Sequence, residues 1–376
     1  MSYLPRKFAI MAAACAVLSG TCAPAGAEGI HIGQTVGFTG PQAGGVKELT
    51  DGAKLWINAV NARGGINGQK IILDSIDDGF DPKRAAENAG KLIDSGVVAL
   101  FLSRGTPQSE AIIPLAEKAG IALVAPSTGA QVMHEPLRRV VFNVRSKYQT
   151  EAERAVTHFT TVAMNRIGVV YVDSSFGKDA LAGAERGLRN ANLKPEWVLK
   201  FDGLKPDFAP VIDAILKSKV QAVMVFGTGA QPAELINSAR AAGAMAQFAT
   251  LSNNSSSSFV KLLGANARGV IVTQVFPNPR RSSHAILLEL QKLAKDAGIE
   301  PSYATLEGFA SAKVLVEGLR RAAGKGPVTR VGLIEALEGM KNFDLGGMQL
   351  GYSPTNHSGL DYIEISIINS KGEFLQ

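Results

Sequence analysis

Short runs of β-branched and other apolar residues alternate with stretches of helical periodicity along most of this chain. The run Ile30–Val36 is followed by apolar residues at helical spacing from Val46 to Val60, and the same order returns around Val97–Leu102 and Arg166–Asp173. Alternation of this kind builds parallel sheets that helices cover on both faces, through right-handed crossovers. The pattern therefore predicts an α/β fold of doubly wound parallel sheets.

The alternation occurs in two blocks, and 376 residues are enough for two ordinary domains. The second block begins after residue 146 and includes the strand-like runs Val220–Phe226 and Gly269–Val275. Two final helices are predicted over about 283–323 and 329–340, before a strand with a hairpin-like end. We therefore expect two α/β lobes.

Residues 1–27 have the pattern of a secretory signal peptide. A basic pair precedes the apolar stretch Phe8–Leu18, and Ala25–Ala27 offers small residues at a cleavage site. The apolar stretch is too short to cross a bilayer, which takes about 20 residues. We expect export to the periplasm and a mature chain that begins near Glu28.

Both cysteines, Cys15 and Cys22, lie inside the predicted signal. The mature chain would then have no disulfide, no zinc–thiolate site and no cysteine nucleophile. The formal net charge is +6, but the basic residues are scattered, so we expect no nucleic-acid partner. The five histidines are far apart in the sequence and no catalytic motif accompanies them. We expect no cofactor and no enzymatic activity.

Four loops rich in glycine and hydroxyl residues follow predicted strands. Because ligands of parallel α/β sheets collect at the carboxyl ends of strands, beside helix N-termini, these loops are candidates for one binding cleft. Hydroxyls and bare backbone N–H groups suit a carboxylate or another small anion, although turns favour the same residues. The loops are SRGTPQSE after Leu102, PSTGAQ after Ala125, DSSFGKD after Val172, and GTGAQP after Phe226, which contains Thr228.

The order of motifs resembles the periplasmic solute-binding proteins of ABC importers that take branched-chain amino acids. The segments that carry the resemblance are IGQTVGFTGPQAGG, GAKLWINAVNARGGINGQKIIL, DDGFDPKRAAENAGKLI, AIIPLAEKAGIALVAPSTG and FDGLKPDFAPVIDAI. They cover essentially the whole mature chain and are specific for the family, but much less so for the ligand.

The resemblance implies a type I periplasmic binding protein fold, in which two lobes joined by a three-segment hinge close on a solute. We place the hinge segments near Arg145–Lys147, Gln274–Pro277 and Leu350–Tyr352. The N-terminal lobe would contain residues 28–146 and 277–348. The C-terminal lobe would contain residues 147–276 and 349–376.

The resemblance also implies positions for the binding residues. The spacing to the AIIPLAEKAG helix assigns Thr106 to the solute carboxylate, with the backbone of Gly105 beside it. The next loop supplies Ser127 and Thr128 as hydroxyl and N–H donors. These residues can equally cap helices, because capping and anion binding use the same geometry.

Two positions depart from the family pattern. Phe176 stands where an aromatic residue is commonly Tyr, so the wall is kept and the hydroxyl is lost. Ser252, followed by Asn253, stands where amino-acid binders carry an acid that holds the ligand ammonium. Because a buried ammonium without a carboxylate is costly, we expect a solute that lacks a free α-ammonium or pairs it elsewhere.

Other residues near the predicted cleft are ambiguous. Tyr148 can enter the cleft or pack at the hinge, and Phe38 can form a lid or pack in the core. Arg104 can face a second solute carboxylate or solvent, and we favour solvent. Glu151 and Glu153 can replace the missing acid, but exposed helix charges are the simpler reading.

The leading hypothesis is a monomeric periplasmic receptor. It would bind an amino-acid-like, organic-acid or amide solute and present it to the permease subunits of an ABC importer. The alternative is a sensory module of the same fold, whose closed form signals to a receptor or kinase.

Overall fold

The computed structural model describes residues 1–2, 29–281 and 284–376. The predicted signal segment, from residue 3 onward, lies outside the described residues. Within the described ranges, no helix combines the length and the apolar character that a membrane span needs.

The first part of the chain alternates strands and helices as predicted. The helix that begins at Pro82 shows why. The Asp81 carboxylate accepts a hydrogen bond from the Arg84 N–H, and Pro82 takes the first helical position. The elements are β1 (Ile30–Val36), α1 (Ala43–Ala62), β2 (Ile71–Asp77), α2 (Pro82–Asp94), β3 (Ala99–Phe101), α3 (Thr106–Ala119), β4 (Ala122–Val124) and β5 (Val141–Phe142).

The second part repeats the alternation. The strands are rich in buried β-branched residues, and Ser174 caps α5 by accepting from the Gly177 N–H. The elements are α4 (Tyr148–Thr161), β6 (Ile167–Val172), α5 (Ser175–Asn190), β7 (Trp197–Phe201), α6 (Ala209–Ser218), β8 (Ala222–Phe226), α7 (Ala230–Ala241), β9 (Gln247–Thr250), α8 (Ser257–Leu263) and β10 (Ile271–Gln274).

The last part contains three helices rather than the predicted two. The expected helix over 283–323 is interrupted because Gly298 turns the backbone to a left-handed φ of 67° and Ser302 caps a new helix through the Thr305 N–H. The elements are α9 (Ala285–Asp296), α10 (Tyr303–Ala323), α11 (Arg330–Glu338), β11 (Phe343–Asp344), β12 (Gln349–Leu350), β13 (Glu364–Ile368) and β14 (Phe374–Leu375).

Two mainly parallel sheets organise these elements. The first has the strand order β2-β1-β3-β4-β5 and all its pairs are parallel. The second has the order β7-β6-β8-β9-β10-β13-β14, in which β13 and β14 pair antiparallel. β11 and β12 form a separate two-stranded hairpin. The α/β prediction is confirmed.

Each sheet has its own hydrophobic core, and the chain passes between the two cores three times. We call the unit around the first sheet the N-terminal lobe and the unit around the second the C-terminal lobe. The first passage joins β5 to α4 and the second follows Gln274. The third lies between Leu360 and β13, later than Leu350–Tyr352, because the Leu360 N–H donates to the Val144 carbonyl and keeps this segment on the N-terminal lobe.

Polar groups connect the lobes beside the second passage. The Glu48 carboxylate on α1 accepts hydrogen bonds from the N–H groups of Ser257 and Ser258, each at 2.9 Å, at the start of α8. The same carboxylate accepts from the Ser302 hydroxyl at 2.7 Å. Gly44 lies so close that a Cβ there would stand 2.6 Å from the Ser258 side chain. The two lobes are therefore in contact at this edge.

Candidate functional site

A cavity of about 360 Å³ lies between the lobes, within the size range of ligand pockets. Its walls come mainly from the segments that follow β1 to β4 in the first sheet and β6 to β9 in the second, at the carboxyl ends of these strands. This is the position at which parallel α/β sheets place their ligands.

Seven of the residues proposed from the sequence line this cavity together. They are Gly105, Thr106, Ser127, Tyr148, Phe176, Thr228 and Asn253.

The other three proposed residues lie outside the lining. Thr128 is fully buried behind the wall, where its hydroxyl is 2.7 Å from that of Thr106. Ser252 is also buried behind the wall, bonded to Arg145 and Glu151. Phe38 is half-buried, and the aromatic ring on that side of the cavity is the one of Phe80.

Two unusual backbone turns bring together the loops that follow β3 and β4. Leu102 and Ala125, at the ends of β3 and β4, have left-handed φ values of 57° and 53°. Such values are strained for residues with a side chain, and hydrogen bonds to neighbouring strands hold both residues in place. As a result Arg104 and Ser127 pair as an isolated parallel bridge.

Arg104 is buried in the cavity wall, so the expectation that it faces solvent is wrong. Its exposed fraction is 4%. Nη1 donates to the Ser127 hydroxyl and Nη2 to the Asn253 carbonyl across the cleft, both at 2.7 Å. A guanidinium carries more N–H donors than these two bonds use.

The N-terminus of α3 points at the same end of the cavity. Gly105 precedes the helix with a φ of 96°, and Thr106, Pro107 and Gln108 form its first turn. All four residues line the cavity. The unpaired N–H groups and the dipole of a helix start favour an anion, so this end suits a carboxylate.

The hydroxyl of Ser127 is not available as a donor to a solute. It accepts from Arg104 and donates its hydrogen to Glu307 Oε1 at 2.6 Å, while its N–H donates to the Ser103 carbonyl. The Thr106 and Thr128 hydroxyls share one hydrogen between them. When Thr128 donates, Thr106 keeps its hydrogen for a group in the cavity.

Four charged side chains are buried together in and behind one wall of the cavity. We call Arg104, Arg145, Glu151 and Glu307 the four-charge cluster; each is at most 4% exposed. The Arg145–Glu151 pair is at 2.7 Å, Arg145–Glu307 at 3.7 Å and Arg104–Glu307 at 4.0 Å. The cluster is electrically balanced, and the expectation that Glu151 is an exposed helix charge is wrong.

Arg145 holds the centre of this cluster. Its Nη2 donates to Glu151 Oε1 and to the Ser252 hydroxyl, and the guanidinium lies 4.5 Å from the centre of the Tyr148 ring. Burial alone would lower the pKa of Arg145, but Tyr148, Glu307 and Glu151 raise it above its ordinary value. The guanidinium therefore stays charged.

Aromatic rings form the apolar part of the cavity. Tyr148 and Phe176 pack edge to face with ring centres 4.9 Å apart. Phe80 enters from the other lobe with a left-handed φ of 62°. The Asp78 carboxylate supports this turn by accepting from the Phe80 N–H and the Thr35 hydroxyl.

Two buried acceptors in the cavity wall have no hydrogen-bond partner among the described residues. They are Gln108 Oε1 and Asn253 Oδ1, whose amide nitrogens donate to the Phe80 and Gly227 carbonyls. Buried acceptors normally find a donor. Both oxygens are covered by the surrounding wall, so they do not face the open cavity.

The acidic residues of the lining lie at its mouth. Asp173 is exposed and pairs with Lys178 and Lys200. Asp202 is exposed and accepts from the N–H groups of Leu204 and Lys205. Both carboxylates are already used by these partners.

Sequence reasoning missed Phe80, Gln108, Arg145 and Glu307. Glu307 belongs to α10 and meets Ser127 only through the folded chain, so no local pattern marks it. Phe80 follows the paired acids Asp77 and Asp78, and an aromatic residue in a tight turn between a strand and a helix was the one available signal.

The described chain matches known proteins along nearly its whole length. Residues 29–373 match the family model described as periplasmic binding protein. The Leu/Ile/Val-binding protein of Escherichia coli is 25% identical over 253 residues, which are 66% of this chain and 68% of that protein. A substrate-binding periplasmic protein from Ralstonia solanacearum is 30% identical, with a TM-score of 0.85, over 92% of this chain and 99% of that chain.

A fatty acid ABC transporter substrate-binding protein from Thermomonospora curvata has the same fold. Its TM-score is 0.84 at 22% identity, over 93% of this chain and 91% of that chain. The chain belongs to the periplasmic binding protein family, of the type that includes the binders of branched-chain amino acids.

Removing the charge of Glu151 should destabilise the protein strongly. Glu151→Gln leaves Arg145 buried without its closest counter-charge, and breaking such a pair costs about 3 kcal/mol or more. Urea denaturation at pH 7 measures the loss.

Glu153→Gln is the matched control on the same helix. Glu153 pairs with Arg186 at the surface, where a salt bridge contributes at most about 1 kcal/mol. Equal losses of unfolding free energy for the two variants would contradict the prediction that the buried cluster stabilises the protein more than a surface ion pair does.

Asp78 should make stability fall as the pH rises from about 4 to about 7. Burial raises the pKa of Asp78 from 3.8 to about 6, despite hydrogen bonds from Phe80 and Thr35. The folded state therefore prefers the protonated acid, and this contribution, about 2 kcal/mol, is complete below pH 4 and is lost above pH 6. Unfolding of the wild type and Asp78→Asn across this range measures the difference.

Asp77→Asn is the control. Burial opposes ionisation of Asp77, but hydrogen bonds from Thr39 and Gly79 outweigh it and lower the pKa. Its effect on stability should therefore be flat between pH 4 and pH 7. If the difference in unfolding free energy between the wild type and Asp78→Asn also stayed constant between pH 4 and pH 7, the prediction would be contradicted.

Proposed function

We propose that this protein is the periplasmic solute-binding component of an ABC uptake system. It binds a small carboxylate- or amide-bearing solute between its lobes and presents it to a membrane permease. The observation that carries this proposal is the cavity between the lobes, with Arg104 and the start of α3 at one end and aromatic rings along its walls.

The contacts across the cleft support a closing mechanism. Arg104 reaches the Asn253 carbonyl, and the Ser175 hydroxyl donates to Glu110 Oε2 at 2.6 Å. A solute that touches both lobes favours the closed arrangement, and a closed surface is what a permease can recognise. The loops of both lobes then act as one binding site.

The hinge follows the three chain passages. We assign residues 28–146 with 277–360 to the N-terminal lobe and 147–276 with 361–376 to the C-terminal lobe. Residues 1–27 serve as the export signal, and the protein acts as a monomer in the periplasm. Closure then needs rotation only in the three connecting segments.

The names of the relatives leave the solute open. One is called a Leu/Ile/Val-binding protein and another a fatty acid transporter's binding protein, so the fold accepts both amino acids and plain acids. Specificity must come from the side chains of this cleft.

A thermal-shift panel on ligand-stripped protein tests the proposed function. The panel contains Leu, Ile and Val, aliphatic and aromatic acids, and the corresponding amides. A solute at about a hundred times its Kd should add about 2.7 kcal/mol of stability, which a melting curve resolves. No stabilisation by any member would contradict binding of this solute class.

Gly44→Ala should weaken binding of any solute that the panel identifies. The added Cβ meets Ser258 of the other lobe, so overpacking of about 1–3 kcal/mol acts on the closed form alone. Kd should rise by about fivefold to a hundredfold, as measured by titration calorimetry.

Gly90→Ala is the matched control. Gly90 lies in α2, and a Cβ there meets no atom within 4 Å. Binding should be unchanged, while helix stability rises by up to about 1 kcal/mol. Tight binding by Gly44→Ala would mean that the solute does not require this lobe contact.

A further inference from the structure

The buried carboxylates at the back of the cavity already have partners. Glu151 Oε1 accepts a hydrogen bond from Arg145. Its Oε2 accepts from the Ser252 N–H and, at 2.6 Å, from the Thr273 hydroxyl. Glu307 receives Ser127 and lies between the two arginines. Among the described residues that line the cavity, the acids are those at the mouth, and these have partners too.

Arg145 lies beside Ser252, the residue that the resemblance places where amino-acid binders carry their acid. Its guanidinium donates a hydrogen bond to the Ser252 hydroxyl. A solute ammonium placed here would meet two guanidinium groups, whose charges already balance those of Glu151 and Glu307. An unpaired buried charge of this kind is costly.

Arg104 has the opposite character, because it presents unused donors to the cavity. Its two described hydrogen bonds go to a hydroxyl and a carbonyl, and Glu307 is 4.0 Å away. The Thr106 hydroxyl and the first turn of α3 lie at the same end. A guanidinium with free N–H groups binds a carboxylate by charge-assisted hydrogen bonds.

We infer that the cleft selects an apolar monocarboxylate that has no ammonium group, and that Arg104 is the residue that binds its carboxylate. The inference rests on the proposed solute-binding function and names the solute class. Phe80, Tyr148 and Phe176 receive the aliphatic or aromatic body of the acid.

Two sets of probes test the solute class. Within each set the molecules differ only in the group on the carbon next to the carboxylate, which is an ammonium, a hydroxyl or a hydrogen. The first set is L-leucine, 2-hydroxy-4-methylpentanoate and 4-methylpentanoate. The second is L-phenylalanine, 3-phenyllactate and 3-phenylpropanoate. Titration calorimetry on ligand-stripped protein should give, in at least one set, a Kd for the amino acid at least about thirtyfold above that of the hydroxy acid.

Arg104→Met tests the residue. It should weaken binding of the acids by at least about thirtyfold. Arg104→Lys should give an intermediate loss, because lysine keeps the positive charge but lacks the paired, coplanar N–H donors of a guanidinium. Arg189→Met, at an exposed site on α5, is the matched control and should bind as the wild type does.

Thr106→Val keeps every charge and provides a second test if Arg104→Met does not fold. It removes the hydroxyl at the carboxylate end and should weaken the acids by about threefold to tenfold. The amide 4-methylpentanamide should lose less from either substitution, because it carries no charge. Circular dichroism confirms that each variant is folded.

The outcomes separate this inference from the proposed function. Tighter binding of the amino acids, or acid binding that is unchanged in Arg104→Met and Thr106→Val, would overturn the inference and leave the solute-binding function in place. Binding of amides alone would do the same. Binding of no member of the full panel would overturn both.

Discussion

The guanidinium of Arg145 is the group on which the contact between the lobes depends most. It lies in the first chain passage and bonds to Glu151 and Ser252 of the C-terminal lobe, while Glu307 of the N-terminal lobe is 3.7 Å away. A buried charge has to be paired, so these elements can take only arrangements that keep its partners close. The hinge geometry and the back of the cavity are therefore set by one side chain.

Much of the fold could be predicted from the sequence, because its signals are local. The β-branched runs, the Asp81-Pro82 helix start and the polar loops at strand ends each lie within a few residues. The third passage could not be placed this way. It is fixed by the hydrogen bond from the Leu360 N–H to the Val144 carbonyl. These residues are far apart in the sequence, and no sequence pattern links them.

The site shows the same division. Gly105 and Thr106 could be found because a helix start after a buried strand is a local feature. The burial of Arg104 depends on Asn253 of the other lobe, and the loss of Ser127 as a donor depends on Glu307 in α10. Hydrogen-bond partners are assigned only by the folded structure, so a donor inferred from a loop sequence can already be in use.

The serine-rich tract that follows β9 has a consequence for the opening of the lobes. At this edge the lobes meet through serine hydroxyls, backbone N–H groups and the Glu48 carboxylate. Water can replace each of these partners if the lobes separate. Separation at this edge would thus exchange hydrogen bonds within the protein for hydrogen bonds to water, at little net cost in free energy.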